Sequence, residues 1–114
     1  MQPIYKILPA AIWHDALARG RLEGAPVDLA DGFIHLSSRA QVEETAARHF
    51  SGQDGLLLLA VDVAALGDDL RWEASRGGAL FPHLYAPLLP AAVLWARPMP
   101  LRASGMHEFA GLLP

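Results

Sequence analysis

One apolar stretch, Leu56–Val61, constrains the fold of this chain more than any other part of the sequence. It has the length of a β-strand and contains no polar residue. A strand that is exposed on one face alternates apolar and polar residues, whereas a strand covered on both faces reads as a continuous apolar run. We therefore expect a central strand here. The run is far shorter than the roughly 20 apolar residues that a membrane-spanning helix needs.

Composition favours a single folded domain. The chain has 114 residues, of which 53% are hydrophobic and 18% are charged, and this balance disfavours disorder. We expect a core over residues 4–101 and a loose tail over residues 102–114. No cysteine is present, which excludes disulfides, thiolate metal sites and a cysteine nucleophile.

Charge and the first residues of the sequence bear on partners and location. Nine Lys and Arg residues stand against twelve Asp and Glu residues, so the net charge is −3. Because no basic run exists, we do not expect binding to the backbone of double-stranded nucleic acid. Residues 1–6 lack the charged-then-apolar order of a secretory signal. The sequence thus predicts a cytoplasmic protein that does not bind membranes.

Apolar periodicity and turn residues predict an α+β fold. Helical spacing indicates a helix over Ala10–Arg19, for which Gly20 is a natural end. The interval 21–32 reads as an irregular loop because of its glycines and a proline. The other predicted elements are a strand at 4–8, a helix from Ser38, a short strand at 70–73 and a last strand at 91–96.

The stretch Gly32–Ser38 predicts a ligand site where a strand runs into a helix. Alternate residues of a strand share a face. The polar face would carry Phe33, His35 and Ser37, and the apolar face Ile34 and Leu36. Ser38 precedes Gln41 by three residues, the spacing of a helix capping box. An imidazole beside the free N–H groups of a helix start is well placed to hold a ligand.

Two later segments carry further polar groups. Prolines bracket part of segment 81–87 and favour extended backbone, so that His83 and Tyr85 would face the same way. Arg71 and Glu73 likewise share one face of a short predicted strand. These groups suit the wall of a binding site. The alternative is structural, with a buried tyrosine whose hydroxyl is satisfied and charges that face water.

The side chains assembled in this way can bind ribose hydroxyls, a phosphate and an aromatic ring. Lys6 would add a cation from the first strand, unless it only extends along an edge strand. No Rossmann fingerprint, P-loop or nucleophile elbow occurs in the sequence. A zinc ion held by His35, His83 and Glu73 is the metal-dependent alternative, which would make the protein a hydrolase.

Three motifs, in this order and spacing, resemble the bacterial domain-of-unknown-function family 952. The motifs are Gly32-Phe33-Ile34-His35-Leu36-Ser37, Arg71-Trp72-Glu73 and Phe81-Pro82-His83-Leu84-Tyr85. The resemblance extends from Ile4 to about Leu101 and implies a compact ADP-ribosyltransferase-like fold. In that fold, small antiparallel or mixed sheets and two main helices surround an NAD-binding cleft.

The resemblance also implies chemistry. Residues 33–37 are similar to the second histidine motif of RNA 2′-phosphotransferases, and Lys6 stands where that superfamily often carries its first histidine. The resemblance therefore implies an ADP-ribosyl- or phosphotransferase-like enzyme that uses NAD. Its expected catalytic residues are His35, His83 and Glu73, and its expected cofactor-binding residues are Lys6, Trp13, His35, Ser37, Arg71 and Tyr85. The alternative is a non-catalytic module that binds a small molecule or a peptide.

Overall fold

The apolar stretch forms the middle strand of one of two three-stranded antiparallel sheets. The structure is a computed structural model that describes residues 2–114, apart from the side chain of Arg76. Its strands are β1 (Ile4–Pro9), β2 (Ile34–His35), β3 (Leu56–Val61), β4 (Leu70–Ala74), β5 (Leu80–Leu84) and β6 (Val93–Pro98). Its α-helices are α1 (Ala10–Arg19), α2 (Pro26–Asp31) and α3 (Val42–His49). The sheet orders are β1-β3-β6 and β2-β5-β4.

Strand β3 is apolar throughout because both faces of its sheet are covered. On one face, Leu59 and Val61 pack with α1 and with residues of the second sheet. On the other face, Leu58 and Ala60 pack with α3 and with the C-terminal segment. The central strand predicted from the sequence is therefore confirmed. Its burial contributes hydrophobic free energy to both clusters of the core.

The two sheets meet through a short bridge. The N–H of Tyr5 in β1 donates to the carbonyl of Ser37 at 2.8 Å, and the N–H of Ser37 donates back at 2.9 Å. This pairing holds the end of the β2 segment against β1. In the second sheet, His35 of β2 lies opposite His83 of β5, and Arg71 of β4 lies opposite His83 on the other side. Residues far apart in sequence are thereby placed side by side.

The α+β class with small antiparallel sheets is confirmed, and the helix Ala10–Arg19 has the predicted bounds. The helix predicted from Ser38 has its regular part at Val42–His49. Its first turn is nevertheless as expected, because the Ser38 N–H donates to the Gln41 side chain at 3.0 Å. Within residues 2–114, none of the helices is long and apolar enough to span a bilayer.

Two expectations need correction. The interval 21–32 is not wholly irregular, since it contains α2, which starts at a proline and ends at Gly32 in the left-handed region with a φ of 86°. The segment 102–114 is not a loose tail. Its His107 and Leu112 are buried, and the Arg97 side chain donates to the Leu112 carbonyl at 2.9 Å. Apolar contacts with the first sheet hold this segment in place.

Candidate functional site

The candidate site is centred on the two histidines that face each other across β2 and β5. The ring centroids of His35 and His83 are 5.6 Å apart. Phe33 stacks on His83 at 4.1 Å and packs against His35 at 4.6 Å and Tyr85 at 5.2 Å. We call Phe33, His35, His83 and Tyr85 the aromatic cluster. The structure thus brings Phe33 and His35 of the first motif into contact with His83 and Tyr85 of the third.

Glu73 of β4 connects two members of the aromatic cluster. Its Oε1 accepts a hydrogen bond from the Tyr85 hydroxyl at 2.6 Å and lies 2.8 Å from Nδ1 of His83. The hydrogen bond from Tyr85, and after it the hydrogen bond from His83, lowers the pKa of Glu73. The hydrogen bond between Tyr85 and Glu73 also raises the pKa of Tyr85. The guanidinium of Arg71 lies 4.9 Å from the centre of the Tyr85 ring. Four of the predicted site residues, Arg71, Glu73, His83 and Tyr85, are therefore in contact with one another, and His83 is the buried member of the four.

The buried carboxylate of Asp28 anchors the other end of the cluster, and the sequence analysis missed it. Its Oδ1 lies 2.6 Å from Nδ1 of His35 and accepts the His35 backbone N–H at 3.0 Å. The Lys6 ammonium lies 2.8 Å from its Oδ2. Burial alone would raise the pKa of Asp28, but the bond from the His35 ring and the charge of Lys6 outweigh burial and hold the pKa at about 2.

Lys6 lies beneath the site and not in it. Its side chain is 5% exposed, and its ammonium also donates to the His35 carbonyl at 3.0 Å. Burial lowers the pKa of Lys6, although the Asp28 carboxylate opposes that shift. A ligand would have to break this buried ion pair to reach Lys6. The expected contact of Lys6 with a ribose or phosphate is therefore corrected to a structural role, as support for His35 through Asp28.

His35 is held by carboxylates on both sides of its ring. Asp28 faces Nδ1, and Asp31 faces Nε2 at 2.9 Å. Because a carboxylate only accepts, a ring bonded to both of them donates from both nitrogens. Both ring nitrogens of His35 are therefore directed at carboxylates of the protein itself and not at the groove. The other histidine, His83, has its Nδ1 directed at Glu73 at 2.8 Å.

Two predicted binding residues lie away from the ligand side. Trp13, on the buried side of α1, lies in the core with 5% exposure. Its ring offers no open face for stacking, so that expectation is corrected. Ser37 is buried as well, and its hydroxyl lies 3.0 Å from that of Thr45. The hydroxyl of Ser37 thus joins α3 to the bridge between the sheets.

The open part of the site is a shallow groove of about 250 Å³. Phe33 and Tyr85 line it together with Asp28, Leu29 and Gly32, and neither histidine is among its lining residues. His83 is nearly buried under Phe33, whereas the side chains of His35 and Glu73 are 34% and 39% exposed. A ligand in the groove would contact ring faces first and reach the polar atoms of His35 and Glu73 at their exposed edges.

The same geometry bears on the metal-dependent alternative. Among the residues that the structure describes, no three His, Asp or Glu side chains are grouped to hold a metal ion. His35 directs its nitrogens at Asp28 and Asp31, and His83 directs Nδ1 at Glu73. The zinc set His35, His83 and Glu73 is therefore not assembled.

One sequence signal would have identified Asp28. Pro26 occupies the first position of α2, where a missing N–H costs nothing. Asp28 follows two residues later, and its Oδ2 accepts the N–H of Ala25 at 2.8 Å. Proline followed by an acidic residue is typical of a helix start. A helix predicted over residues 26–31 would have identified Asp28 as a residue of its first turn.

Comparison with known proteins gives close structural relatives. The crystal structure of protein CC0527 from Caulobacter crescentus matches with a TM-score of 0.93 and 55% identity, covering 96% of each chain. A solution NMR structure of CC0527 matches with a TM-score of 0.88 and 56% identity, covering 99% of this chain and 97% of that one. No curated protein matches significantly.

The family comparison agrees with the three motifs. The family described as "Protein of unknown function (DUF952)" matches residues 7–96, a region that contains the aromatic cluster, Asp28 and Glu73. This match spans most of the chain. The chain therefore belongs to the DUF952 family.

Proposed function

We propose that the aromatic cluster and Glu73 bind a nucleotide such as NAD or ADP-ribose, as in the ADP-ribosyltransferase-like superfamily that the motifs resemble. The observation that carries this proposal is the row His83–Glu73–Tyr85, hydrogen-bonded at 2.8 and 2.6 Å beside the ring of Phe33. It combines an ionised acceptor with aromatic surface at the edge of an open groove. We also propose that the protein is located in the cytoplasm.

Each part of the nucleotide has a partner of suitable chemistry. A planar base or nicotinamide ring would stack on Phe33 or Tyr85, which line the groove. Ribose hydroxyls would donate to Glu73, since the lowered pKa of Glu73 keeps its carboxylate ionised. Arg71 beside Tyr85 would supply positive charge for a phosphate. Lys6 contributes only through the buried ion pair with Asp28.

A non-catalytic binding module is the second candidate, and one observation favours it. Both nitrogens of His35 face carboxylates of the protein at 2.6 and 2.9 Å, so neither nitrogen is directed at a ligand. Transfer chemistry would then depend on Glu73 and His83. In such a reaction, the Glu73 carboxylate would stabilise an oxocarbenium-like state at the ribose carbon that bears nicotinamide.

Calorimetry with NAD and with ADP-ribose tests the binding. We expect saturable binding by the wild type and a loss of about tenfold or more in affinity for Glu73→Gln, because the variant lacks the charged acceptor. His83→Ala should weaken binding as well. The matched control is His14→Ala, which removes an exposed histidine on α1. Absence of saturable binding by the wild type at millimolar ligand would rule the proposal out.

A second assay separates the two candidates. Release of nicotinamide from NAD by the wild type, reduced strongly in Glu73→Gln, would support a transferase or hydrolase of NAD. Binding of NAD without release would identify a binding module. A binding peptide or metabolite in place of nucleotides would support the module and contradict the nucleotide proposal.

A further inference from the structure

A second hollow lies between α3 and the C-terminal segment, which cover the face of the first sheet that is turned away from the second sheet. Its volume is about 530 Å³, within the usual range for small-molecule sites. It shares no lining residue with the groove beside the aromatic cluster. Its apolar surface comes from Ala46 and Ala47 of α3 and from Phe109 and Leu113.

His107 lines this hollow and carries an unused acceptor. Its side chain is buried, with 7% exposure, and its Nε2 lies 2.7 Å from the carbonyl oxygen of Gln53. Because a carbonyl only accepts, Nε2 carries a proton, and in the neutral imidazole Nδ1 is then the acceptor. Among the residues that the structure describes, Nδ1 of His107 has no hydrogen-bond partner. A buried acceptor without a donor costs free energy, and a ligand hydroxyl or ammonium would satisfy it.

The two arginines that line the hollow differ in how firmly they are held. Arg102 makes two contacts with one oxygen of Glu108, at 3.0 and 2.9 Å. Arg39 lies 3.7 Å from Glu43 and 3.5 Å from the Pro114 carbonyl, both long distances. The Arg39 side chain is also 40% exposed. Its guanidinium is therefore the one that can turn toward an anion at little cost.

We propose that this hollow binds a small organic acid that has an apolar body and a hydroxyl or amino group next to its carboxylate. The carboxylate pairs with Arg39, the hydroxyl or amino group donates to Nδ1 of His107, and the apolar body packs on Ala47 and Phe109. Local side-chain movement accompanies entry, because Nδ1 is covered by its neighbours.

Three related probes test each contact separately in NMR titrations of the labelled chain. 3-Phenyllactate carries both polar groups, 3-phenylpropionate lacks the hydroxyl, and 3-phenylpropane-1,2-diol lacks the carboxylate. We expect 3-phenyllactate to bind most tightly and to shift the amide signals of Ala46, Ala47 and Phe109. Either of the other two probes should bind about fivefold to tenfold more weakly.

Variants locate the interaction without disturbing the core. Arg39→Gln should weaken 3-phenyllactate about tenfold, whereas Arg48→Gln, which removes an arginine paired with Glu44 on the exposed face of α3, should change nothing. Ala47→Leu should weaken binding, because the larger side chain takes the place of the apolar body beside Phe109. The proposal is overturned if 3-phenyllactate does not saturate, if its shifts lie elsewhere, if Arg39→Gln behaves like Arg48→Gln, or if 3-phenylpropionate binds equally well.

Discussion

At the scale of single residues, Asp28 accounts for the geometry of the candidate site better than either histidine does. One buried carboxylate binds the Lys6 ammonium of β1, the backbone and ring of His35 in β2, and the N–H of Ala25 at the start of α2. The position of His35 therefore depends on a residue that no ligand need touch. We expect substitutions of Asp28 to affect stability and the His35 ring together.

Removing the charge of Asp28 should be costly. In Asp28→Asn, the Lys6 ammonium remains buried without its counter-charge, and we expect the free energy of unfolding to fall by about 3 kcal/mol. Urea unfolding measures this loss. The control is Asp15→Asn, which breaks an exposed pair with Arg19 and should change stability by at most about 0.5 kcal/mol. Equal effects of the two substitutions would contradict the role given to Asp28.

Protonation of Asp28 in acid should also lower the free energy of unfolding. The pKa of Asp28 is held at about 2, below its ordinary value of 3.8, so the folded state binds protons less readily than the unfolded state. The resulting stability is complete above about pH 4 and is lost as the pH falls through 2, and it amounts to about 2 kcal/mol. Urea unfolding at pH 5 and at pH 2.5 should show a smaller acid loss for Asp28→Asn than for the wild type. Identical losses would contradict this assignment.

At the scale of elements, the strands and helices show what a single sequence reveals and what it does not. β3 and α1 were predictable, because a continuous apolar run and helical spacing depend on local pattern. The alternation in Gly32–Ser38 correctly placed His35 on the polar face. α2 was missed, because a six-residue helix has too little periodicity and is held by the tertiary contacts of Asp28.

Segment 81–87 illustrates a further limit. Its extended backbone was predicted, yet β5 is the middle strand of its sheet, a place that proline usually avoids. The carbonyl of Pro82 accepts from the Leu36 N–H at 3.1 Å, so the side of Pro82 that lacks an N–H faces the short β2 segment. The hydrogen bonds toward β4 are preserved. Pairing of this kind depends on the partner strand and cannot be inferred from the segment alone.

Packing between α2 and the preceding loop gives a test at the element scale. Gly24 has a φ of +137°, and a Cβ added there would lie 2.6 Å from the Cβ of Asp28. We expect Gly24→Ala to destabilise the protein by roughly 3 kcal/mol or more, through strain and displacement of Asp28. Gly20→Ala, with a φ of +86° and open space around the added Cβ, should cost only about 1 kcal/mol. Thermal unfolding of both variants decides the point, and equal costs would contradict the steric account.

At the scale of the whole molecule, two sheets joined by the Tyr5–Ser37 bridge separate the two surfaces that we propose bind ligands. The aromatic cluster lies on the second sheet, and the hollow at His107 lies between α3 and the C-terminal segment. The sequence indicated the first face, because its motifs have a recognisable order. It did not indicate the second, because His107 gains its role only when segment 102–114 packs on the first sheet.

Binding of a nucleotide by the aromatic cluster and Glu73 can be followed by NMR, in a titration of the isotope-labelled chain with ADP-ribose. We predict saturable shifts for the signals of Phe33, His35, His83 and Tyr85, with His14 unchanged. No shift of these four signals up to about 10 mM ADP-ribose, or saturation confined to another surface, would contradict it.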